Sequence, residues 1–135
     1  MAARIAVIDD DMDVLTLLQA LLTEEGYEAR TVQAETVDYP RMRRFAPALI
    51  ILDISTESPT TGWELLERIR RDSALHATPV IVSAADAPSL AARRGALEAR
   101  GDAVLIKPFD LSDLLALVER LTGGPGAPPA SWLPR

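Results

Sequence analysis

Ala48-Leu-Ile-Ile-Leu-Asp53 decides the fold: five apolar residues in a row, closed by one carboxylate. A short, uninterrupted apolar run bounded by turn residues reads as a parallel strand buried on both faces. Three other stretches share this form. Arg4-Ile-Ala-Val-Ile8 runs into Asp9-Asp10-Asp11, Pro79-Val-Ile-Val82 into Ser83, and Ala103-Val-Leu-Ile106 into Lys107-Pro108. A fifth, weaker run, Glu28 to Val32, is interrupted by charged residues and suits a sheet edge. Helix-period segments separate all five. The pattern predicts an α/β domain with a doubly wound five-stranded parallel sheet, strand order 2-1-3-4-5, and five helices on its two faces.

The helices have their own signals. Val14, Leu17, Leu18 and Leu21 repeat at helical spacing, with Asp10 or Asp11 as cap and Gly26 as terminator. The segment from Gln33 to Pro47 carries Pro40 inside it, so this helix is expected to be short, shifted or broken, with Asp38 available as its cap. Ile54 to Gly62 reads as a loop of turn formers, followed by a helix from Trp63 to Arg71 with Leu65, Leu66 and Ile69 inward. Pro88 fits the first turn of a fourth helix behind Asp86 or Ala87, running to about Ala99. That helix contains Gly95 and is expected to be the least stable. The fifth helix follows Asp110, with Leu111, Leu114, Leu115, Val118 and Leu121 as its inner stripe. The expected domain spans 1–122. Residues 123–135 form a Gly/Pro-rich tail ending in Ser131-Trp132-Leu133-Pro134-Arg135.

At 135 residues the chain is long enough for one well-buried core. A net charge of -6 argues against general binding to nucleic acid or an anionic membrane, which needs a basic face. Arg41, Arg43 and Arg44 make only a small basic patch. Cysteine is absent and His76 is the single histidine, which removes thiol chemistry and Cys- or His-rich metal sites. His76 itself reads as a surface loop residue. With no signal segment and no run of membrane-spanning length, the expected location is the cytoplasm.

In a parallel sheet all strands point the same way, so the C-terminal residues of the four runs share one edge, where open α/β sheets bind ligands. Asp9, Asp10 and Asp53 would then crowd together, and a hard divalent cation such as Mg²⁺ relieves their repulsion. Lys107 supplies a cation on the other side and Ser83 a hydroxyl. Together these groups suit a phosphoryl ligand. Taken singly, each has a bland explanation: an aspartate after a strand is usually a cap or turn former, which is the reading adopted for Asp11 and Asp13. Convergence at four strand ends favours a site.

In order and spacing, Val-Ile-Asp-Asp (7–10), Leu-Ile-Ile-Leu-Asp (49–53), Gly-Trp-Glu-Leu-Leu (62–66), Val-Ile-Val-Ser-Ala (80–84) and Ile-Lys-Pro-Phe (106–109) resemble the receiver domain of two-component response regulators, over about Ala3 to Thr122. The resemblance implies a flavodoxin-like receiver fold, of stand-alone type, and not a turnover enzyme beyond its own phosphorylation and dephosphorylation. Asp53 would be the phosphoacceptor. Asp9, Asp10, Asp53 and the backbone carbonyl of Ser55 would hold Mg²⁺, while Ser83 and Lys107 would bind phosphoryl oxygens. A cis Lys107-Pro108 peptide is implied too. Implied partners are a sensor histidine kinase or phosphotransfer protein and a downstream target on the face of helix 4, strand 5 and helix 5. No nucleic acid or membrane is implied, and a homodimer is left open.

Two features depart from the family pattern. After Asp53 the family carries a proline four positions on and a glycine eight on. Here Pro59 is six on and Gly62 nine on, a one-residue insertion that brings Glu57 near the site. Three positions before the lysine, where an aromatic switch residue is common, stands Val104. These departures support an alternative, a pseudo-receiver acting as a phosphorylation-independent interaction module. A Mg²⁺-dependent hydrolase on a similar scaffold ranks last, since no acid–base residue stands just after Asp53. Trp63 reads as helix packing, and Trp132 with Leu133 as an anchor on a tether or a loose end.

Overall fold

A computed structural model of the chain describes residues 2–55 and 59–126. The elements alternate as expected: β1 (Arg4–Asp9), α1 (Met12–Glu24), β2 (Glu28–Gln33), a single 3-10 turn (Ala34–Thr36), α2 (Tyr39–Phe45), β3 (Leu49–Ile54), α3 (Pro59–Arg71), β4 (Val80–Ala84), α4 (Ala87–Ala99), β5 (Ala103–Ile106) and α5 (Leu111–Thr122). All pairings are parallel and the sheet order is β2-β1-β3-β4-β5, with β2 at the edge. Glu57 lies outside the described residues, as do Trp132 and Leu133 at the other end of the chain.

Strand alternation divides the core in two. Ile5, Val7, Leu49, Ile51, Ile81 and Ala103 pack against Leu15, Leu18 and Leu22 of α1 and Leu114 and Val118 of α5. Their neighbours in sequence, Ala6, Ile8, Ile50, Leu52, Val80, Val82 and Val104, face the opposite way. There they meet Tyr39, Met42 and Phe45 of α2, Leu66 and Ile69 of α3, and Leu90 and Leu97 of α4.

Local chemistry sets the helix limits. Asp11 caps α1 through the Asp13 and Val14 amides, and Gly26 follows its end at φ 96°. The proline in the second helical segment is accommodated by shortening: α2 begins behind Asp38, which accepts from the Arg41 amide, with Pro40 in its first turn. Asp86 caps α4 through the Ser89 amide. Asp110 occupies the N-cap of α5, though no side-chain cap bond forms.

Some expectations need correction. The buried stripe of α1 is Leu15, Leu18 and Leu22, with Val14 and Leu21 at its margins, and Leu17 is 51% exposed. The apolar spacing fits either stripe; the angle at which α1 lies on the sheet selects between them. Leu111 of α5 is likewise 37% exposed, because it lies in the first turn, beyond the edge of the sheet. The third helix starts at Pro59, four residues before Trp63, since proline is well suited to an opening turn. Gly62 falls inside that turn, where a Cβ would stand 2.6 Å from Ile54 Cδ1.

A buried polar clamp ties the lower end of the sheet together. The Asp102 carboxylate accepts from the Val80 amide at 2.9 Å and pairs with the Arg70 guanidinium. Arg70 also donates to the carbonyls of His76 and Thr78 at 3.1 and 3.0 Å. The clamp thus joins α3 to the starts of β4 and β5. Removing one partner of a buried pair strands the other charge. Arg70→Leu is therefore expected to cost about 3–5 kcal/mol in urea denaturation. Arg71→Ala, which loses only an exposed pair with Glu67, should change stability by less than about 1 kcal/mol.

Candidate functional site

Register builds the site. Ile8 pairs with Leu52, which sets Asp9 level with Asp53, and Asp53 pairs with Ser83. Each lies two residues beyond a buried member of the α1/α5-facing rows: Asp9 after Val7, Asp53 after Ile51, Ser83 after Ile81. Lys107 similarly follows Leu105, and its amide donates to the Ala84 carbonyl at 2.8 Å, extending the β4–β5 pairing past the end of β5. The period of two in a strand thus delivers four polar side chains to one face at the C-terminal edge. Ser83 lies within β4 and Asp53 within β3, one residue short of each strand's end, so both are held by the sheet.

The ammonium of Lys107 bridges two carboxylates, at 3.0 Å from Asp53 Oδ1 and 3.2 Å from Asp9 Oδ2. The Ser83 hydroxyl donates to the same Asp53 Oδ1 at 3.2 Å. Asp9 is only 4% exposed and Ser83 3%. The other Asp9 oxygen accepts from the Asp11 amide at 3.0 Å, which fixes its side chain. The Lys107-Pro108 peptide is cis.

Asp10, Asp53, Ser55 and Lys107 line an open cavity of about 300 Å³, together with Asp11, Ile54 and Ala85. Asp9 stands behind this cavity, and Asp10 is exposed at its mouth. Among the described residues no group of three acidic, His or Cys side chains is drawn close enough to form a metal cluster. What the edge offers is a set of hard oxygen donors around water-sized space, three carboxylates against one ammonium. That donor chemistry fits a hard divalent cation that keeps part of its water shell. A second cavity, about 340 Å³, lies between β2 and α2 and contains none of the strand-end groups.

Burial pushes the Asp53 carboxyl above its usual range, and the charge of Asp9 adds to this; hydrogen bonds from Lys107 and Ser83 oppose the rise without cancelling it. For Lys107, burial favours the neutral form, but its bonds and charge interactions with Asp53 and Asp9 outweigh burial and raise its pKa. The ammonium therefore stays charged at neutral pH. Two contacts were not foreseen from sequence: the Asp11 amide on Asp9 and the Ala84 carbonyl under Lys107. Both are backbone bonds, to which side-chain type gives no clue.

The chain matches the family of the response regulator receiver domain over residues 5–119. It is 35% identical over 127 residues to the transcriptional activator protein IrlR of Burkholderia pseudomallei, covering 87% of this chain and 49% of that protein. It is 36% identical over 122 residues to the nisin biosynthesis regulatory protein NisR of Lactococcus lactis, covering 88% and 50%. The chain thus spans about half the length of these curated relatives. Among solved structures, a CheY-like receiver domain protein of Methanospirillum hungatei is 28% identical with a TM-score of 0.72, covering 90% of this chain and 94% of that one. The chemotaxis protein CheY4 of Vibrio cholerae superposes at a TM-score of 0.74 over 90% of this chain and 99% of its own; at 23% identity it bears on the fold alone.

The sign of the Asp53 shift gives a test on the metal-free protein. A carboxyl whose folded pKa lies above its unfolded value binds its proton more tightly when folded. Stability is then lost as pH rises from about the ordinary 3.8 through the raised value. Asp53→Asn removes that loss. In thermal denaturation with chelator present, the variant is expected to melt above the wild type at pH 7, with the gap shrinking toward pH 4.

Proposed function

This chain belongs to the response regulator receiver domain family, and from that membership we propose that it is a phosphoryl-accepting switch in two-component signal transduction, with Asp53 as the acceptor. The observation that carries the proposal is the Lys107 ammonium held at 3.0 Å from Asp53 while also paired to Asp9, with the Ser83 hydroxyl on the same Asp53 oxygen. Two groups, Lys107 just past β5 and Ser83 in β4, converge on one oxygen of Asp53 beside the cavity, and Asp9 of β1 holds Lys107 there.

The chemistry follows from these positions. Lys107 and Ser83 both engage Oδ1 of Asp53, which fixes the carboxylate plane. One carboxylate oxygen attacks the phosphorus of a kinase phosphohistidine. A phosphorus–oxygen bond forms, the phosphorus–nitrogen bond breaks, and its electron pair returns to the imidazole. The product is an acyl phosphate on Asp53. Charge building on the equatorial oxygens is met by the Lys107 ammonium and the Ser83 hydroxyl, both in place before reaction. Asp9, Asp10, Asp53 and the Ser55 carbonyl are the groups proposed to hold Mg²⁺, which when bound neutralises phosphoryl oxygens. Asp9 has a second task in this reading: it keeps Lys107 in position and charged.

The donor is proposed to be a sensor histidine kinase or a phosphotransfer protein, and the recipient of the signal a downstream target protein. IrlR is named as a transcriptional activator and NisR as a biosynthesis regulator, which supports a role in signalling. Among the described residues no helix is long and apolar enough to cross a membrane. A cytoplasmic location is proposed with the function.

A pseudo-receiver role is favoured by one observation: α3 begins at Pro59, six positions after Asp53, so the segment beside the cavity is altered from the family pattern. Mass spectrometry separates the two readings. With Mg²⁺ and acetyl phosphate, the switch gains one phosphoryl group, and Asp53→Asn abolishes the gain. Lys107→Ala should slow the gain on the order of 100-fold, as for loss of one preorganised charge-stabilising group. A wild-type protein that neither gains mass nor binds beryllofluoride would be the pseudo-receiver.

A further inference from the structure

Because side chains alternate along a strand, the residues after Asp53 and Ser83 face the other side of the sheet. They are Ile54 and Ala84, and both belong to the core under α3 and α4. Those helices are the next elements in the chain after each strand end: α3 begins at Pro59 after β3, and α4 at Ala87 after β4. Each helix is anchored at its start to the strand end below it. Gly62 of α3 lies so close to Ile54 that a Cβ would stand 2.6 Å from Ile54 Cδ1. Asp86, two residues past the end of β4, caps α4 through the Ser89 amide at 3.2 Å.

One contact bridges the seam between these helices beside a cavity of about 150 Å³ that Leu66 and Leu97 also line. The Arg93 guanidinium of α4 stacks on the Trp63 ring of α3, 4.0 Å from its centroid. Behind Trp63 a void of about 40 Å³ remains, walled by Ile54, Ser55, Ala84, Asp86, Ser89 and Leu90. Space lies where the two strand ends would have to move relative to one another. Close-packed cores transmit displacement, and a small void gives a large side chain a second place to go.

We infer that the α3–α4 seam, bridged by Trp63 under Arg93, is the element of this chain that responds when the Asp53 site is filled. The inference rests on the phosphoacceptor reading. A group added to Asp53 displaces the Ser83 hydroxyl from Asp53 Oδ1, where it now donates at 3.2 Å, and a shift of Ser83 moves Ala84 against Ile54 on the reverse face. The void behind Trp63 takes up the shift, and the indole moves relative to Arg93. By reciprocity, loosening the Trp63–Arg93 stack must alter affinity at the strand-end site.

Two readings of one preparation test this. The chain has two tryptophans, so Trp132→Phe leaves Trp63 as the only one. In that background, Mg²⁺ with beryllofluoride is expected to change Trp63 emission, and Asp53→Asn to abolish the change. Arg93→Ala is expected to shift the beryllofluoride dissociation constant by about 5-fold or more, in either direction, the lower end of ordinary site-to-site coupling. Arg94→Ala, on the same helix but paired with Glu98 at the surface, should leave that constant unchanged. If the protein takes a phosphoryl group while Trp63 emission stays constant and Arg93→Ala binds as the wild type does, the seam is not the responding element and the acceptor reading stands. If Arg94→Ala shifts the constant as much as Arg93→Ala, general weakening of α4 is the cause and the inference is overturned. If the wild type neither gains mass nor binds beryllofluoride, the acceptor reading fails and the seam inference falls with it.

Discussion

One ammonium between two carboxylates governs this molecule. Lys107 reaches Asp53 and Asp9 only because β5 lies in register beside β4 and because its own amide continues that ladder onto the Ala84 carbonyl. Without Lys107, two carboxylates on adjacent strands, both largely removed from water, would face each other uncompensated. Burial of charge of that kind forces proton uptake or an opening of the structure. The bridge therefore holds the acidic edge of the sheet together and supplies, in the same atom, the positive charge that a phosphoryl group would meet.

The arrangement is not one that stability alone would select. The Asp53 carboxyl stays above its usual pKa despite the lysine and the serine, so its ionised form is under net strain from burial and from Asp9. Elsewhere in the chain another buried carboxylate is held through one oxygen: Asp102 Oδ1 accepts from the Val80 amide and the Arg70 guanidinium, while Oδ2 is buried with no hydrogen-bond donor among the described residues. The contrast lies in location. Asp102 is enclosed at the lower end of the sheet, whereas Asp53 opens on a cavity. In the proposed acceptor role, the negative charge that its donors leave unsatisfied on Asp53 would be open through that cavity to a cation or an electrophilic phosphorus.

Much of this was legible in the sequence because strands buried on both faces read as continuous apolar runs. Ala48 to Leu52 could hardly be anything else, and the residues closing the runs, Asp9, Asp53, Ser83 and Lys107, do meet at one edge of the sheet. Asp38 as the cap of a shortened second helix was legible too, since Pro40 fits little but a first turn. What failed was orientation about a helix axis. Leu17 and Leu22 of α1 both fit the apolar spacing, yet the sheet takes Leu22 and leaves Leu17 exposed. Helical spacing defines a stripe, and the sheet's twist chooses which edge of the stripe is covered. The start of α3 was missed for a different reason. Turn-forming residues and helix-opening residues overlap, and Pro59-Thr-Thr-Gly62 satisfies both descriptions until tertiary packing against Ile54 decides. The Arg70–Asp102 clamp left no sequence signal, because its partners are far apart in the chain and three of its bonds end on backbone.

The same alternation that assembles the site also determines how it can act at a distance. A strand residue cannot move without its successor moving on the opposite face. Asp53 carries Ile54 with it, and Ser83 carries Ala84. The polar edge faces α1 and α5, but the apolar reverse of that edge lies beneath α3 and α4. With Val104 buried among those reverse-face residues and aliphatic, no ring is present there to swing. The large side chain next to the reverse face of the site is Trp63, and it borders the small void between Ile54 and Ala84. In the proposed switch, a signal starting at Asp53 on one side of the sheet would have its shortest mechanical route through the sheet, to the helices that follow β3 and β4 in the chain.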